Sequence, residues 1–242
     1  HPVAHSFPTR RSSDLPHRNR ESARAEAHAA IDWLRLSAQS SVLDLCCGSG
    51  RHLYWLFEEG ITQSVGLDFS VALLKEARKK ISPQPYLVRG DMRRLPFSGC
   101  FDAVLMFFTS FGYFDTDEEN SRVLQEIIKV LRPGGGYLID YLNAWKVKAT
   151  LEAETVRTQG DSTIHEIRRI VDGGRRVKKE ILIKRNGKED RYEESLRLYS
   201  PPELLAMFEG LGCMPDKVYG DFDGSAFRTD SDRVILVRFP RD

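Results

Sequence analysis

No apolar run in this 242-residue chain approaches the roughly 18 residues that a membrane-spanning helix needs, so no such span is expected. Cysteine is scarce. The four present are Cys46, Cys47, Cys100 and Cys213, and their spacing offers neither a disulfide framework nor a metal-ligand pattern. Reduced thiols in a cytoplasmic protein without a metal are the expectation. There is also no block of like charge, since 36 basic residues face 35 acidic ones. Residues His5 to Leu15, HSFPTRRSSDL, match the in-frame translation of a sequencing adapter. Residues 1–15 are therefore set aside as an artefactual segment, and the natural amino terminus is expected to be missing. Removing Arg10, Arg11 and Asp14 with them brings the formal charge from +1 to zero. A neutral chain without a basic run does not fit a large nucleic-acid footprint.

What is present fits a single domain over residues 16–242, with 41% apolar residues and enough length to bury one sizeable core. Helical spacing marks residues 21–36, a stretch from beyond Gly50 to Glu59, Ser70–Lys80, Asp117–Leu131 and Pro202–Leu211. Short apolar runs at Ser41–Cys46, Ser64–Leu67, Pro85–Val88, Phe101–Phe107 and Tyr137–Leu142 read as strands between them. This alternation implies α/β architecture: a Rossmann-like, doubly wound, mostly parallel seven-stranded sheet with helices on both faces. The last two strands are expected near Lys217–Tyr219 and Arg233–Phe239. The pattern changes over residues 150–200. Three polar, alternating runs are separated by Gly173-Gly174 and Asn186-Gly187, so an antiparallel insertion is expected before the last sheet elements, covering the site where a second substrate would bind.

The segment Val42–His52, VLDLCCGSGRH, places a glycine-rich turn after the first strand, and Asp68 closes the second. Side by side at the carboxyl ends of neighbouring parallel strands, a bare turn and a carboxylate suit an adenosine-containing ligand with ribose hydroxyls. A dinucleotide fingerprint would need a third glycine, and Leu53 stands in its place. Gly90-Asp91-Met92 follows the third strand, Phe101-Asp102 opens the fourth, and Leu131-Arg132-Pro133-Gly134-Gly135 precedes the fifth. With these features in this order the chain resembles the class I S-adenosylmethionine-dependent methyltransferases from Leu36 to Phe239, with Cys46 where that family carries its first turn glycine. Cysteine is small enough for that position if its φ is negative. The resemblance implies S-adenosylmethionine as cofactor and S-adenosylhomocysteine as product. It implies cofactor contacts from Asp44, Cys46, Gly48, Ser49, Gly50, Asp68, Phe69, Ser70, Asp91, Met92 and Phe107, with Leu95 beside adenine.

After the fourth strand, no Asn/Asp-Pro-Pro-Tyr element stands ready to grip a base amino group. Instead Phe107 to Phe114 forms an aromatic, weakly polar rim. A small-molecule acceptor, methylated on nitrogen or oxygen, fits better than a nucleic acid or a membrane partner. Phe111, Tyr113, Phe114, Arg197 and Tyr199 are candidates for its wall, with Glu194 and Asp221–Gly224 near the cover. The proton acceptor stays open among His52, Tyr113, Tyr141, Asp140 and His165. A monomer or homodimer is expected. An inactive binding subunit, or an enzyme for protein or RNA that works with a partner, are the alternative readings.

Overall fold

A computed structural model describes residues 20–241; the adapter-like segment lies outside them. Six helices and eleven strands follow in the order α1 (Arg20–Trp33), β1 (Val42–Leu45), α2 (Arg51–Glu58), β2 (Ser64–Asp68), α3 (Val71–Lys80), β3 (Tyr86–Arg89), β4 (Phe101–Met106), α4 (Asp117–Val130), β5 (Leu131–Leu142), α5 (Ala144–Thr150), β6 (Glu154–Gln159), β7 (Ser162–Val171), β8 (Arg176–Arg185), β9 (Lys188–Arg197), α6 (Pro201–Gly210), β10 (Lys217–Tyr219) and β11 (Arg233–Arg238).

The main sheet runs β10-β11-β5-β4-β1-β2-β3. Strands β3, β2, β1, β4 and β5 are parallel, whereas β11 runs antiparallel to both β5 and β10. Successive strand residues point to opposite faces. Val104 and Met106 thus join Leu43 and Leu45 in one core, closed by Val123, Leu124 and Ile127 of α4 and Phe208 of α6. Ala103, Leu105 and Phe107 join Val42 in the other core, closed by Ala30 of α1 and Leu53 and Leu56 of α2. Because β1 starts the winding in both directions, its carboxyl end opens a crevice between α-helical connections that diverge.

The helix starts are local. Ser70 caps α3 by accepting from Leu73 N–H, Thr116 caps α4, and Ser200 forms a full capping box with Glu203 ahead of α6. Four differences from the sequence-based expectation have physical causes. α4 ends at Val130, and β5 starts at Leu131, six residues before the expected Tyr137, because Leu131 pairs with Phe101 across an irregularity in the β4–β5 ladder. α5 was not expected, since its seven residues carry no amphipathic repeat and rest on an Asn143 cap. The insertion sheet has four strands, β6-β7-β8-β9, not three. β6 reads ETVRTQ, and its one large apolar residue, Val156, is exposed, so it shows no buried face to betray it. Tyr199, expected on the insertion's last strand, lies beyond the end of β9.

Gly136 on β5 shows how tightly the sheet's far edge is closed. A Cβ there would meet the carbonyl oxygen of Arg238 at 2.6 Å and Pro240 N at 3.1 Å, both backbone atoms that cannot swing away. Gly136→Ala should cost about 1–3 kcal/mol of stability, read as a lower urea midpoint with an unchanged slope.

Candidate functional site

The turn after β1 is built from positive-φ residues. Gly48 and Gly50 have φ of 56° and 76°, and Cys46 has a φ of 63°. The expectation of a negative φ at Cys46 is therefore corrected: cysteine occupies a left-handed position that a glycine would hold without strain. The two glycines divide the work. A Cβ on Gly48 would approach nothing closer than Leu73 Cδ1 at 3.9 Å, so that face of the turn is open. A Cβ on Gly50 would meet Ile81 Cδ1 at 2.9 Å and Ala77 Cβ at 3.0 Å, so Gly50 is required by the packing of α3.

Asp68 pins this turn. Its Oδ2 accepts from Gly48 N–H at 2.9 Å and its Oδ1 from Ser70 N–H at 2.7 Å. Burial pushes its carboxyl up, against the pull of those N–H groups. Each oxygen keeps a lone pair, so the side chain remains a fixed, bidentate acceptor at the crevice. Phe69 beside it is 50% exposed, with the Arg89 guanidinium 5.5 Å from its ring. Met92 lies under the turn, its Sδ 3.5 Å from Cys46 Sγ, and Leu95 is buried next to it in the same core. Burial holds the thiols of Cys46 and Cys47 well above their ordinary range, so neither is a nucleophile, and all four cysteines are free.

Asp44 is buried below the turn, and its Oδ2 has no hydrogen-bond partner among the described residues. Desolvation, reinforced by the Asp68 charge, pushes its carboxyl up to about 7 against the pull of Arg51 and Leu53 N–H. A buried carboxylate oxygen left unpaired costs free energy that a cationic ligand group would recover. Asp91 is differently disposed. Arg93 forks onto both of its oxygens, at 3.1 Å from Nε and 2.6 Å from Nη2, and holds its carboxyl below the ordinary range. Arg93 also reaches Glu119 at 2.5 Å and lies 4.2 Å from the Phe114 ring.

Beyond β4 the backbone turns left-handed twice, at Phe108 (φ 63°) and Thr109 (φ 52°). Asp140 of β5 holds both: Oδ2 accepts from Phe108 N–H at 2.8 Å, and its carbonyl accepts from Thr109 N–H at 3.0 Å. Arg233 donates to Asp140 Oδ2 and, at 3.3 Å, to Glu26 of α1. Glu26 in turn bonds His52 Nε2 at 2.6 Å, and His52 stacks on Phe107 at 3.8 Å. Phe222, within the Asp221–Gly224 segment, closes the cluster with its ring 6.0 Å from that of Phe107. Sequence reasoning missed Glu26 and Arg233. Neither sits in a motif, and 207 positions separate them.

The expected acceptor wall is more buried than an open rim. Phe111 packs against Tyr141 and Tyr199, with ring centroids 6.0 and 5.5 Å away. Phe114 is buried, and Tyr113 is half-buried beside it. Arg197 is turned inward and engaged by the fold. Its backbone N–H donates to Gly112 O at 2.8 Å, and its guanidinium reaches Asp117 at 3.2 Å and Glu203 at 2.9 Å. The Tyr199 hydroxyl donates to Asp117 at 2.5 Å, while Arg176 donates to Phe114 O at 3.0 Å. These bonds fasten the insertion sheet to the loop after β4. Among the open proton acceptors, Tyr141 donates to Arg197 O, and burial drives its hydroxyl far above the ordinary range. His165 pairs with Glu154 at 2.5 Å on the insertion sheet, as Lys179 does with Glu194. His52 is lowered by burial and committed to Glu26. Asp140, raised by burial to about 6, keeps Oδ1 unpartnered among the described residues.

A family model described as a methyltransferase domain matches residues 42–135. A dTDP-3-amino-3,4,6-trideoxy-alpha-D-glucopyranose N,N-dimethyltransferase of Streptomyces venezuelae is 31% identical over 166 residues, covering 65% of this chain and 67% of that one. A putative methyltransferase of Bacillus subtilis, YqeM, is 27% identical over 236 residues, covering 87% and 90%. In fold, the chain is similar to the CcbJ methyltransferase of Streptomyces caelestis with a TM-score of 0.80, 19% identity and coverage of 96% and 95%.

The strain at Cys46 yields a test. Cys46→Gly relieves about 1–2 kcal/mol of left-handed strain, offset by about 0.5–1 kcal/mol of added chain entropy. Its thermal midpoint should equal or slightly exceed that of the parent, whereas β-branched Cys46→Val should lower it clearly.

Proposed function

The chain belongs to the class I S-adenosylmethionine-dependent methyltransferases, and on that premise we propose that it methylates a nitrogen or oxygen of a small-molecule acceptor held beside the loop Phe107–Phe114. The observation that carries this reading is the pairing of Asp68 with the open Gly48 turn, next to the orphaned Oδ2 of Asp44. These residues fit the cofactor. Two free lone pairs on Asp68 suit two ribose hydroxyls, the unpaired Asp44 oxygen suits a positively charged amino group, and half-exposed Phe69 offers a flat apolar surface to adenine. Asp91 can serve adenine only with the lone pairs that Arg93 leaves. When bound, the cofactor supplies a methyl group on an activated sulfonium leaving group.

The protein's part is placement and exclusion of water. The sulfonium needs little chemical help, so rate comes from holding acceptor and methyl carbon in line. The insertion sheet, latched through Arg176, Arg197 and Tyr199, fixes the Gly112–Asp117 segment from above. The amino-sugar N-methylating relative supports a small polar acceptor. Among the described residues no helix is long and apolar enough to cross a membrane.

Two measurements test this reading. Asp68→Ala should lower S-adenosylhomocysteine affinity by about 1.5–3 kcal/mol, roughly ten- to hundredfold, in calorimetry. NAD should not bind saturably. The second measurement follows from Asp44. Its raised pKa means that the ligand-free site is protonated below pH 7, and a cationic amino group requires the ionised form. Affinity for S-adenosylhomocysteine should therefore rise with pH and level off above about 7, falling up to about tenfold per unit below it. Asp44→Asn should remove the part of this dependence centred near pH 7. A parent profile flat from pH 5.5 to 8 would rule Asp44 out.

A further inference from the structure

The ladder registers place four residues in one row along the carboxyl rim of the sheet. Leu45 pairs with Leu67, Asp44 with Leu105, and Met106 with Ile139. Extending each register by one or two residues past these pairs sets Asp68 of β2, Cys46 just after β1, Phe107 just after β4 and Asp140 of β5 level. Adjacent strands lie about 4.8 Å apart, so the two carboxylates end a row of about 14 Å. Cys46 and Phe107 occupy its middle.

Asp140 is 1% exposed, and one of its oxygens is used twice, by Phe108 N–H and by Arg233. The other, Oδ1, has no partner among the described residues. Strand alternation puts its side chain on the same face of the sheet as Phe107, and Arg233 pairs with it there. A buried carboxylate oxygen with nothing to bind is stabilised by a hydrogen-bond donor, and more by a charged one. If Asp68 holds ribose, as the function proposed above requires, then the reacting sulfur and methyl group lie over the middle of the row and the acceptor atom lies at its far end.

We propose that the methyl acceptor is an amine and that Asp140 Oδ1 accepts a hydrogen bond from its nitrogen. The amine lone pair forms the new C–N bond, the C–S bonding pair returns to sulfur, and the positive charge passes from sulfur to nitrogen. The methylated ammonium then gives up its proton to solvent. Asp140 thus stands where the charge arrives. A hydroxyl acceptor would need a strong base instead. Asp140 is a poor one: burial raises its carboxyl only to about 6, against the pull of Arg233 and the Phe108 amide, and a hydroxyl is a far weaker acid than that. The inference rests on the methyltransferase reading of the site and adds the acceptor's chemical class to it.

The probe is sinefungin, a cofactor analogue with a C–NH3+ group in place of S+–CH3, compared with uncharged S-adenosylhomocysteine by calorimetry. Asp44 and Asp68 meet groups that both ligands share, so their effects cancel in the affinity ratio. At pH 8, Asp140→Asn should cut the preference for sinefungin about tenfold while changing S-adenosylhomocysteine affinity by less. In the unaltered protein the same preference should fall between pH 8 and pH 5 as Asp140 takes up a proton. The charged groups acting on it are Arg233 on β11 and Glu26 on α1, while His52 and Arg51 of α2 lie one contact further, on Glu26 and on the Phe108 ring. The pH series decides the question should the variant fold poorly. Equal losses for both ligands, or a pH-independent ratio, would overturn the role of Asp140 and leave the cofactor site standing. Failure of both ligands to bind would overturn both readings.

Discussion

Desolvated carboxylates at the carboxyl ends of parallel strands are the constraint on which the rest depends. Asp44, Asp68 and Asp140 are each carried out of water by the sheet that positions them, and burial pushes each one's pKa up. A protein keeps such groups only where something compensates them. Asp68 is compensated by backbone N–H groups of the turn it organises, and Asp140 by an arginine and the amide of a left-handed loop. Asp44 Oδ2 and Asp140 Oδ1 are nonetheless left unpaired among the described residues.

The same carboxylates tie remote parts of the chain together. Through Arg233, Asp140 reaches Glu26 on α1, and through Glu26 it reaches His52 on α2. The Phe108 ring lies between Arg51 at 5.1 Å and Arg233 at 4.9 Å, so the start of α2 and the loop after β4 meet on one aromatic face. On the opposite side, Asp117 gathers Arg197 and Tyr199 and thereby fixes the insertion sheet to that loop. Strained backbone at Phe108 and Thr109 persists because Asp140 accepts from both of their N–H groups, one on its side chain and one on its carbonyl.

Much of this was legible in advance where the cause is local. The strand–turn–helix run Val42–Glu58, Asp68 with its Ser70 cap, and the helices α3, α4 and α6 were all readable from contiguous residues. Asn186-Gly187 announced the β8–β9 hairpin for the same reason. Local patterns failed where the deciding partner was distant. Cys46 was expected to avoid a positive φ, and the closed geometry of the turn overrode that preference. The bonds of Arg197 and Tyr199 to Asp117, 80 and 82 positions away, had no signal in the local pattern. β6 had no buried stripe to reveal it.

The sequence by itself determined the family, the alternation of parallel strands with helices and the glycine-rich turn after β1, because each is encoded in short segments whose glycines, caps and apolar runs act on their own neighbours. Only the tertiary structure decided which carboxylates are left unsatisfied and which arginines are committed to structure. Those outcomes depend on burial and on ion pairs between residues such as Arg233 and Asp140, 93 positions apart. No local pattern carries that information, since a charge costs or gains free energy according to what the folded chain brings beside it.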